Sequence, residues 1–143
     1  MRLNGPVLLF AVLGLSAGCG GGGVPTMPVN GVVTMDDKPL DEATVNFYAE
    51  AGGMGGSART GSDGKFVVTA GDGKSKGLPP GKYKVTVSKM KIAVDDQAGA
   101  VTDADMKNDL PAIYSSPTQT RLSYSVTGDG KPIEIKLESK PKK

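Results

Sequence analysis

Four carboxylates lie close together in the sequence, at Asp36, Asp37, Asp41 and Glu42. Paired carboxylates catalyse hydrolysis when burial separates their pKa values, so that one is protonated while the other is ionised. These four surround Pro39 in a stretch typical of an exposed turn, where water stabilises the ionised form of each. We therefore expect no catalytic residue here, and a hydrolase that uses these carboxylates is kept as an alternative hypothesis.

The composition excludes several other kinds of chemistry. The 143 residues include no histidine, so a serine–histidine–aspartate triad and a histidine-ligated zinc site are excluded in their usual forms. The net charge of +2 arises from interspersed residues of both signs, a field too weak to attract nucleic acid. No glycine-rich phosphate loop follows a strand and opens a helix. We expect neither a cofactor nor a nucleic-acid partner.

A long polar segment over residues 94–116 contains a second group of carboxylates. Its aspartates are Asp95, Asp96, Asp103, Asp105 and Asp109. Clustered oxygen ligands suit Ca²⁺, but Lys107 occupies the next alternating position and no glycine or distal glutamate completes a calcium-binding loop. The segment therefore predicts a solvated acidic loop without a metal, and calcium binding is the alternative.

Two tyrosines are candidates for binding a partner. Tyr48 is expected to point outward from a strand, and Tyr114 lies beside the acidic loop. Exposed tyrosines stack on sugars or anchor protein partners, because the ring is apolar and the hydroxyl is polar. The alternative is that both are surface tyrosines without a binding role.

The elements that position these residues are predicted to be short strands. From about Val29 onward, apolar and polar residues alternate between glycine and proline turns. Lys82, Lys84 and Thr86 are expected to face water. The expected inward sets are Ala43, Val45 and Phe47; Tyr83, Val85 and Val87; Leu122, Tyr124 and Val126; and Ile133, Ile135 and Leu137. About seven strands in one domain predict an all-β, seven-stranded sandwich of two sheets.

Turn residues predict how some of these strands are joined. Gly128-Asp129-Gly130 lies between the last two strands and is a signal for a tight hairpin. Asp63-Gly64 predicts a turn with a positive φ, which would join a short strand at residues 58–60 to the strand Lys65–Thr69.

Several of these pieces together match a known family. They are Gly31-Val32-Val33, the stretch from Asp37 to Val45, the stretch from Thr60 to Phe66, and the stretch from Leu78 to Val85. In that order they resemble the carboxypeptidase regulatory-like domain, which implies a transthyretin-like (prealbumin-like) Greek-key β-sandwich over residues 29–139. The resemblance implies no shared catalytic residues, and the hydrolase activity of some transthyretin relatives needs the histidine that this chain lacks. Residues 140–143 form a basic tail.

The single cysteine lies at the end of an apolar run. Pro6–Leu15 is free of charge and too short to span a bilayer comfortably, which is typical of a signal peptide. The ending Ser16-Ala17-Gly18-Cys19 resembles the lipobox of bacterial lipoproteins, although that family prefers leucine where Ser16 stands. The resemblance implies that residues 1–18 are removed and that Cys19 carries acyl chains such as palmitate. Residues 19–28 would be a flexible tether. An exported protein with a free thiol, or an anchor helix, is the alternative.

These observations predict a lipid-anchored β-sandwich of the cell envelope that is a non-catalytic binding or structural module. The resemblance to bacterial lipoproteins, with Gly20 after the cysteine, implies the outer membrane or cell surface. The expected partners are the membrane, through the lipid, and an envelope protein or glycan. The alternatives are an envelope hydrolase and a carbohydrate-binding accessory domain, and the oligomeric state is left open.

Overall fold

A computed structural model describes residues 25–53, 55–92 and 106–142, which fold into an all-β structure as predicted. The described residues form eleven strands and one short helix, α1, where about seven strands were expected. Strands at residues 38–39, 90–92 and 106–108 were not predicted, and the last of them, like α1, lies in the segment 94–116 that was expected to be a polar loop. The predicted strand Lys65–Thr69 is divided in two at Val68. The elements are β1 (Asn30–Met35), β2 (Lys38–Pro39), β3 (Thr44–Ala49), β4 (Gly56–Arg59), β5 (Lys65–Val67), β6 (Thr69–Ala70), β7 (Gly81–Ser88), β8 (Met90–Ile92), β9 (Met106–Asn108), α1 (Ala112–Ser115), β10 (Ser123–Val126) and β11 (Ile133–Leu137).

The first sheet is built around β1, which pairs with three other strands. It runs parallel to β11, with Gly31 opposite Ile133 and Met35 opposite Leu137. On its other side it pairs antiparallel with β2 and β5. A side chain at Gly31 would collide with the main chain of Ile133, so glycine permits the close approach of β11.

The second sheet is antiparallel, in the order β10-β7-β3-β4-β6. Its two central strands, β3 and β7, pair over six residues, from Thr44 opposite Ser88 to Ala49 opposite Tyr83. β8 and β9 form a separate two-stranded sheet.

The core lies where the inward sides of the two larger sheets meet. Phe47 on the second sheet faces Phe66 on the first, with ring centroids 6.2 Å apart, and also contacts the edge of Tyr83 at 6.4 Å. The inward sets predicted on β3, β7 and β11 are all buried, which confirms their period of two. On β10, Val126 is buried, whereas Leu122 and Tyr124 are half-buried against the core.

The predicted hairpin at Gly128-Asp129-Gly130 is wrong. β10 pairs with β7 in the second sheet, whereas β11 pairs with β1 in the first. Both glycines have a positive φ, as a turn requires, but this turn carries the chain from one sheet to the other. Turn chemistry specifies a reversal locally; it does not specify which strand the chain pairs with next.

Two further expectations need correction. Gly64 has the predicted positive φ of 73°, but the strands that flank its turn do not form one ladder, since β4 pairs with β3 and β6 while β5 pairs with β1. Thr86 was expected to face water and is 2% exposed. The helix α1 packs against β7, so this strand is covered on more than its core side.

Candidate binding surface

Tyr48 lies where the sequence placed it, on the outer side of the second sheet. It is 44% exposed and stands directly opposite Lys84 on β7, which in turn pairs with Ser123 on β10. In the neighbouring row, Asn46 pairs with Ser57 on β4. Strand pairing therefore places an aromatic ring beside amine, amide and hydroxyl groups, which can donate and accept hydrogen bonds around a stacked ligand.

Tyr114 is not a surface residue, contrary to expectation. Its ring belongs to the core and is 9% exposed, and its hydroxyl accepts a hydrogen bond from the main-chain N–H of Glu138 at 3.0 Å. Tyr114 lies in α1, which begins after Pro111 and packs against β7 of the second sheet, while its hydroxyl contacts the end of the first sheet. The ring and the hydroxyl are both engaged within the chain, so Tyr48 alone retains the exposure expected of a binding tyrosine.

Three of the four clustered carboxylates, Asp36, Asp41 and Glu42, take part in separate interactions. Asp36 accepts a hydrogen bond from the N–H of Ser139, 3.1 Å away. The side-chain hydroxyl of Ser139 and then this N–H lower the pKa of the Asp36 carboxyl group. Asp41 pairs with Lys89, whose hydrogen bond and positive charge lower the pKa of Asp41 as well. The Oε1 atom of Glu42 lies 3.8 Å from Nη2 of Arg59. A general acid needs a raised pKa, and neither aspartate has one.

A groove of about 330 Å³ runs between β10 and β11, the neighbouring outer strands of the two sheets. Its lining is mixed. The apolar side chains, which form its floor, are the buried Ile133 and Ile135 from β11 and the half-buried Leu122 and Tyr124 from the β10 side. Burial, and then the charge of Asp129, raise the pKa of Tyr124, so its hydroxyl keeps its proton at neutral pH and can donate a hydrogen bond.

The main chain of β11 presents free hydrogen-bonding groups to this groove. The N–H of Asp36 donates to the carbonyl of Leu137 at 3.0 Å, so the polar groups of Leu137 face β1. Successive residues of a strand point their main-chain polar groups to opposite sides. The N–H and carbonyl groups of Ile133 and Ile135 therefore also point toward β1, while those of Glu134, Lys136 and Glu138 point away from it. The contact from Glu138 to Tyr114 lies on that outer side. Glu134 and Lys136 therefore form an open row of donors and acceptors.

The other outer strands offer shorter edges. β2 and β6 contain two residues each and β5 contains three, whereas β10 and β11 contain four and five. Short edge strands are a common protection against unwanted pairing, and longer free edges accept additional strands. The longest outer strands of the two larger sheets, within the described part of the chain, thus flank one groove.

Positive charge borders the groove. Glu134 pairs with Lys136 at 3.3 Å, and Asp129 lies 4.0 Å from Lys131. Three cations take part in none of the ion pairs among the described residues: Arg121, which lines the groove, and Lys82 and Lys84 on the adjoining strand β7. The outer side of β7 and β10 therefore favours ligands that carry negative charge.

Other sequence predictions concern residues outside the described ranges. These are Cys19, the signal peptide and the aspartates at positions 95, 96, 103 and 105. Within residues 25–53, 55–92 and 106–142, no group of three or more cysteine, aspartate or glutamate side chains is arranged to hold a metal ion. No helix in these ranges has the length and hydropathy needed to cross a membrane.

Comparison of the chain with models of protein families, with curated proteins and with solved structures finds no match.

Proposed function

We propose that the protein is a lipid-anchored, non-catalytic binding module of the cell envelope, and that its binding surface is the groove between β10 and β11. One observation carries this proposal: two free strand edges flank a single groove that is lined by both apolar and polar side chains. That combination suits recognition of another polypeptide, since main-chain groups supply hydrogen bonds and the floor accepts apolar side chains.

The fold that we propose is the transthyretin-like Greek-key sandwich of the carboxypeptidase regulatory-like domain. Its support is the sharing of one core by two sheets, in which Phe47 and Phe66 meet from opposite sides. The glycine at position 64 also lies where that resemblance expects a turn, whereas the first reversal lies at Asp36 and Asp37 and not at the expected Pro39-Leu40. Such domains serve as accessory modules, which agrees with a binding role without catalysis.

The anchor that we propose is an acylated Cys19, with residues 1–18 removed. Two or more acyl chains hold a protein stably on a membrane, each buried CH₂ contributing about 0.8 kcal/mol. The variant Cys19→Ala is expected to leave the membrane fraction, and mass spectrometry of the parent protein should show the acyl chains. Unchanged fractionation with an unmodified mature mass would refute the anchor.

A photo-crosslinking amino acid placed in living cells tests the binding surface. At Ser123, which lines the groove, it should yield an adduct of defined mass. The matched control is Lys74, exposed in the turn after β6 at the opposite edge of the same sheet, which should yield only background. The same broad set of adducts from both positions would contradict a dedicated groove.

A carbohydrate-binding accessory domain is the second candidate, supported by the exposed ring of Tyr48 among polar side chains. A glycan array probed with the acylated protein tests it. Binding that is lost in Tyr48→Ala and retained in Tyr48→Phe would favour this candidate, because stacking needs the ring and not the hydroxyl.

A further inference from the structure

We infer that the groove accepts an extended, acidic segment of a separate protein, which adds to the first sheet as a strand along β11. This inference rests on the proposed function and specifies both the partner and its mode of binding. Strand addition needs a free edge, a place for alternate side chains and a compatible charge. Each of these is present around β11.

The free edge is defined by the hydrogen bonds that β11 already makes. The carbonyl of Leu137 accepts a hydrogen bond from Asp36, and by alternation the main-chain polar groups of Ile133 and Ile135 also point toward β1. The main-chain polar groups of Glu134 and Lys136 point outward. The next outward N–H, that of Glu138, donates a hydrogen bond to the hydroxyl of Tyr114. The hydroxyl of Tyr114 thus occupies the N–H to which a carbonyl of an added strand would otherwise bind, and the free edge stops there. The available edge therefore starts after Pro132 and ends at Lys136.

The groove supplies the place for side chains. In an added strand, every second side chain would point to the same side of the sheet as Ile133 and Ile135, toward the floor that they share with Leu122 and Tyr124. Those positions of the partner should be apolar. The intervening side chains would lie on the side that carries Glu134 and Lys136.

The surrounding charge favours an acidic partner. Glu134 and Lys136 neutralise each other, whereas Arg121 across the groove takes part in none of the described ion pairs. This positive charge attracts a segment that carries carboxylates, because opposite charges steer partners together. The partner is thus an extended segment in which apolar residues alternate with acidic or polar ones.

Substituting Lys136 tests this mode of binding in cells that carry the crosslinker at Ser123. Proline removes the outward N–H without breaking a hydrogen bond to β1, and it is tolerated at such edge positions. Lys136→Ala is the matched reference, because it loses the same side-chain charge but retains the N–H. Lys136→Pro should yield about tenfold less adduct than Lys136→Ala, because a lost hydrogen bond costs up to about tenfold in affinity and the ring blocks close approach.

Two controls distinguish this effect from misfolding. Val67→Pro places a proline on β5 at a residue that is 55% exposed. The main-chain polar groups of its neighbours Phe66 and Val68 point toward β1, so those of Val67 point away from β1. This variant should preserve the adduct. Thermal unfolding must show that Lys136→Pro is folded. If it is not, replacement of the amide at residue 136 by an ester, introduced by nonsense suppression, removes the same donor without a ring.

The outcomes separate the inference from the function on which it rests. An adduct with another protein that depends on the N–H of residue 136 and falls severalfold in Arg121→Glu supports the inference. An adduct that survives loss of this N–H overturns strand addition and leaves a binding module. Crosslinking to a second copy of this chain, or an adduct indifferent to Arg121→Glu, overturns the stated partner. Absence of any defined adduct from Ser123 overturns both.

Discussion

The hydroxyl of Tyr114 accepts a hydrogen bond from the main-chain N–H of Glu138 at 3.0 Å and thereby connects the helix α1 to the end of β11. Tyr114 belongs to a segment packed against the second sheet, while Glu138 follows the outer strand of the first. One side chain thus links the two sheets beside the groove. It also defines where the free edge of β11 ends.

Removing that hydroxyl should destabilise the protein measurably. Tyr114→Phe preserves the ring in the core but leaves the N–H of Glu138 without its partner, which is expected to lower the free energy of unfolding by about 1 kcal/mol. Urea denaturation provides the measurement. Tyr48→Phe is the control, because that exposed hydroxyl lies on the sheet surface and its loss should change stability by less than about 0.5 kcal/mol. Equal effects of the two substitutions would contradict the assigned role of Tyr114.

Thr60 should be essential for the start of β3. It is 4% exposed, and its hydroxyl oxygen accepts a hydrogen bond from the N–H of Ala43 at 2.8 Å. Thr60→Val keeps the shape and removes the acceptor, so we expect a loss of about 1–3 kcal/mol in unfolding free energy. Thr60→Ser retains the hydroxyl and should recover most of the loss. A valine variant as stable as the parent protein would show that this bond contributes nothing.

Glycine at position 42 should stabilise the protein. Glu42 has a φ of 50°, and a residue with a side chain pays about 1–2 kcal/mol for that conformation. Glycine removes this strain but gains entropy in the unfolded chain, so the expected net gain is about 0.5–1 kcal/mol.

Glu42→Gln is the matched control for the Glu42→Gly substitution. It removes only the exposed contact with Arg59 and should change stability by less than about 0.5 kcal/mol. Thermal unfolding of both variants decides the outcome. If the glycine variant were less stable than the glutamine variant, the positive φ of Glu42 would not be a source of strain.

Asp72 should make stability depend on acid pH. Its carboxylate accepts hydrogen bonds from the hydroxyl and N–H of Ser75 and from the N–H of Lys74, which together lower its pKa below 3.8. A carboxyl whose pKa is lower in the folded state stabilises above its unfolded pKa, and this contribution is lost as the pH falls through the folded value.

Urea midpoints measured between pH 5 and pH 2 test this effect. Stability should fall below about pH 4. Asp72→Asn should be less stable than the parent at pH 7, and the difference between the two should shrink toward pH 2. A constant difference across this range would contradict the assignment.

The sequence predicted local features well, and the reason is physical. Alternation along β3 and β11 correctly identified Val45, Phe47 and Ile135 as core residues, because a strand's side chains alternate by geometry alone. Gly64 was identified as a turn residue because few other residues adopt its φ at no cost.

The features that failed depend on contacts between distant parts of the chain. The parallel pairing of β1 with β11 joins residues about a hundred positions apart, and nothing local in Gly128-Asp129-Gly130 signals it. The burial of Tyr114 follows from that pairing, since its partner Glu138 lies at the end of β11. The groove was missed for the same reason, because it exists only where two sheets place their outer strands side by side.

Amide hydrogen exchange in the purified protein, measured residue by residue by NMR, tests the free edge of β11 most directly. We predict that the N–H groups of Glu134 and Lys136 exchange at nearly unprotected rates, while those of Ile135 and Leu137 are protected at least about a hundredfold by their bonds to β1. Equal protection at Lys136 and Ile135 would show that the edge is already occupied, and would contradict the binding groove.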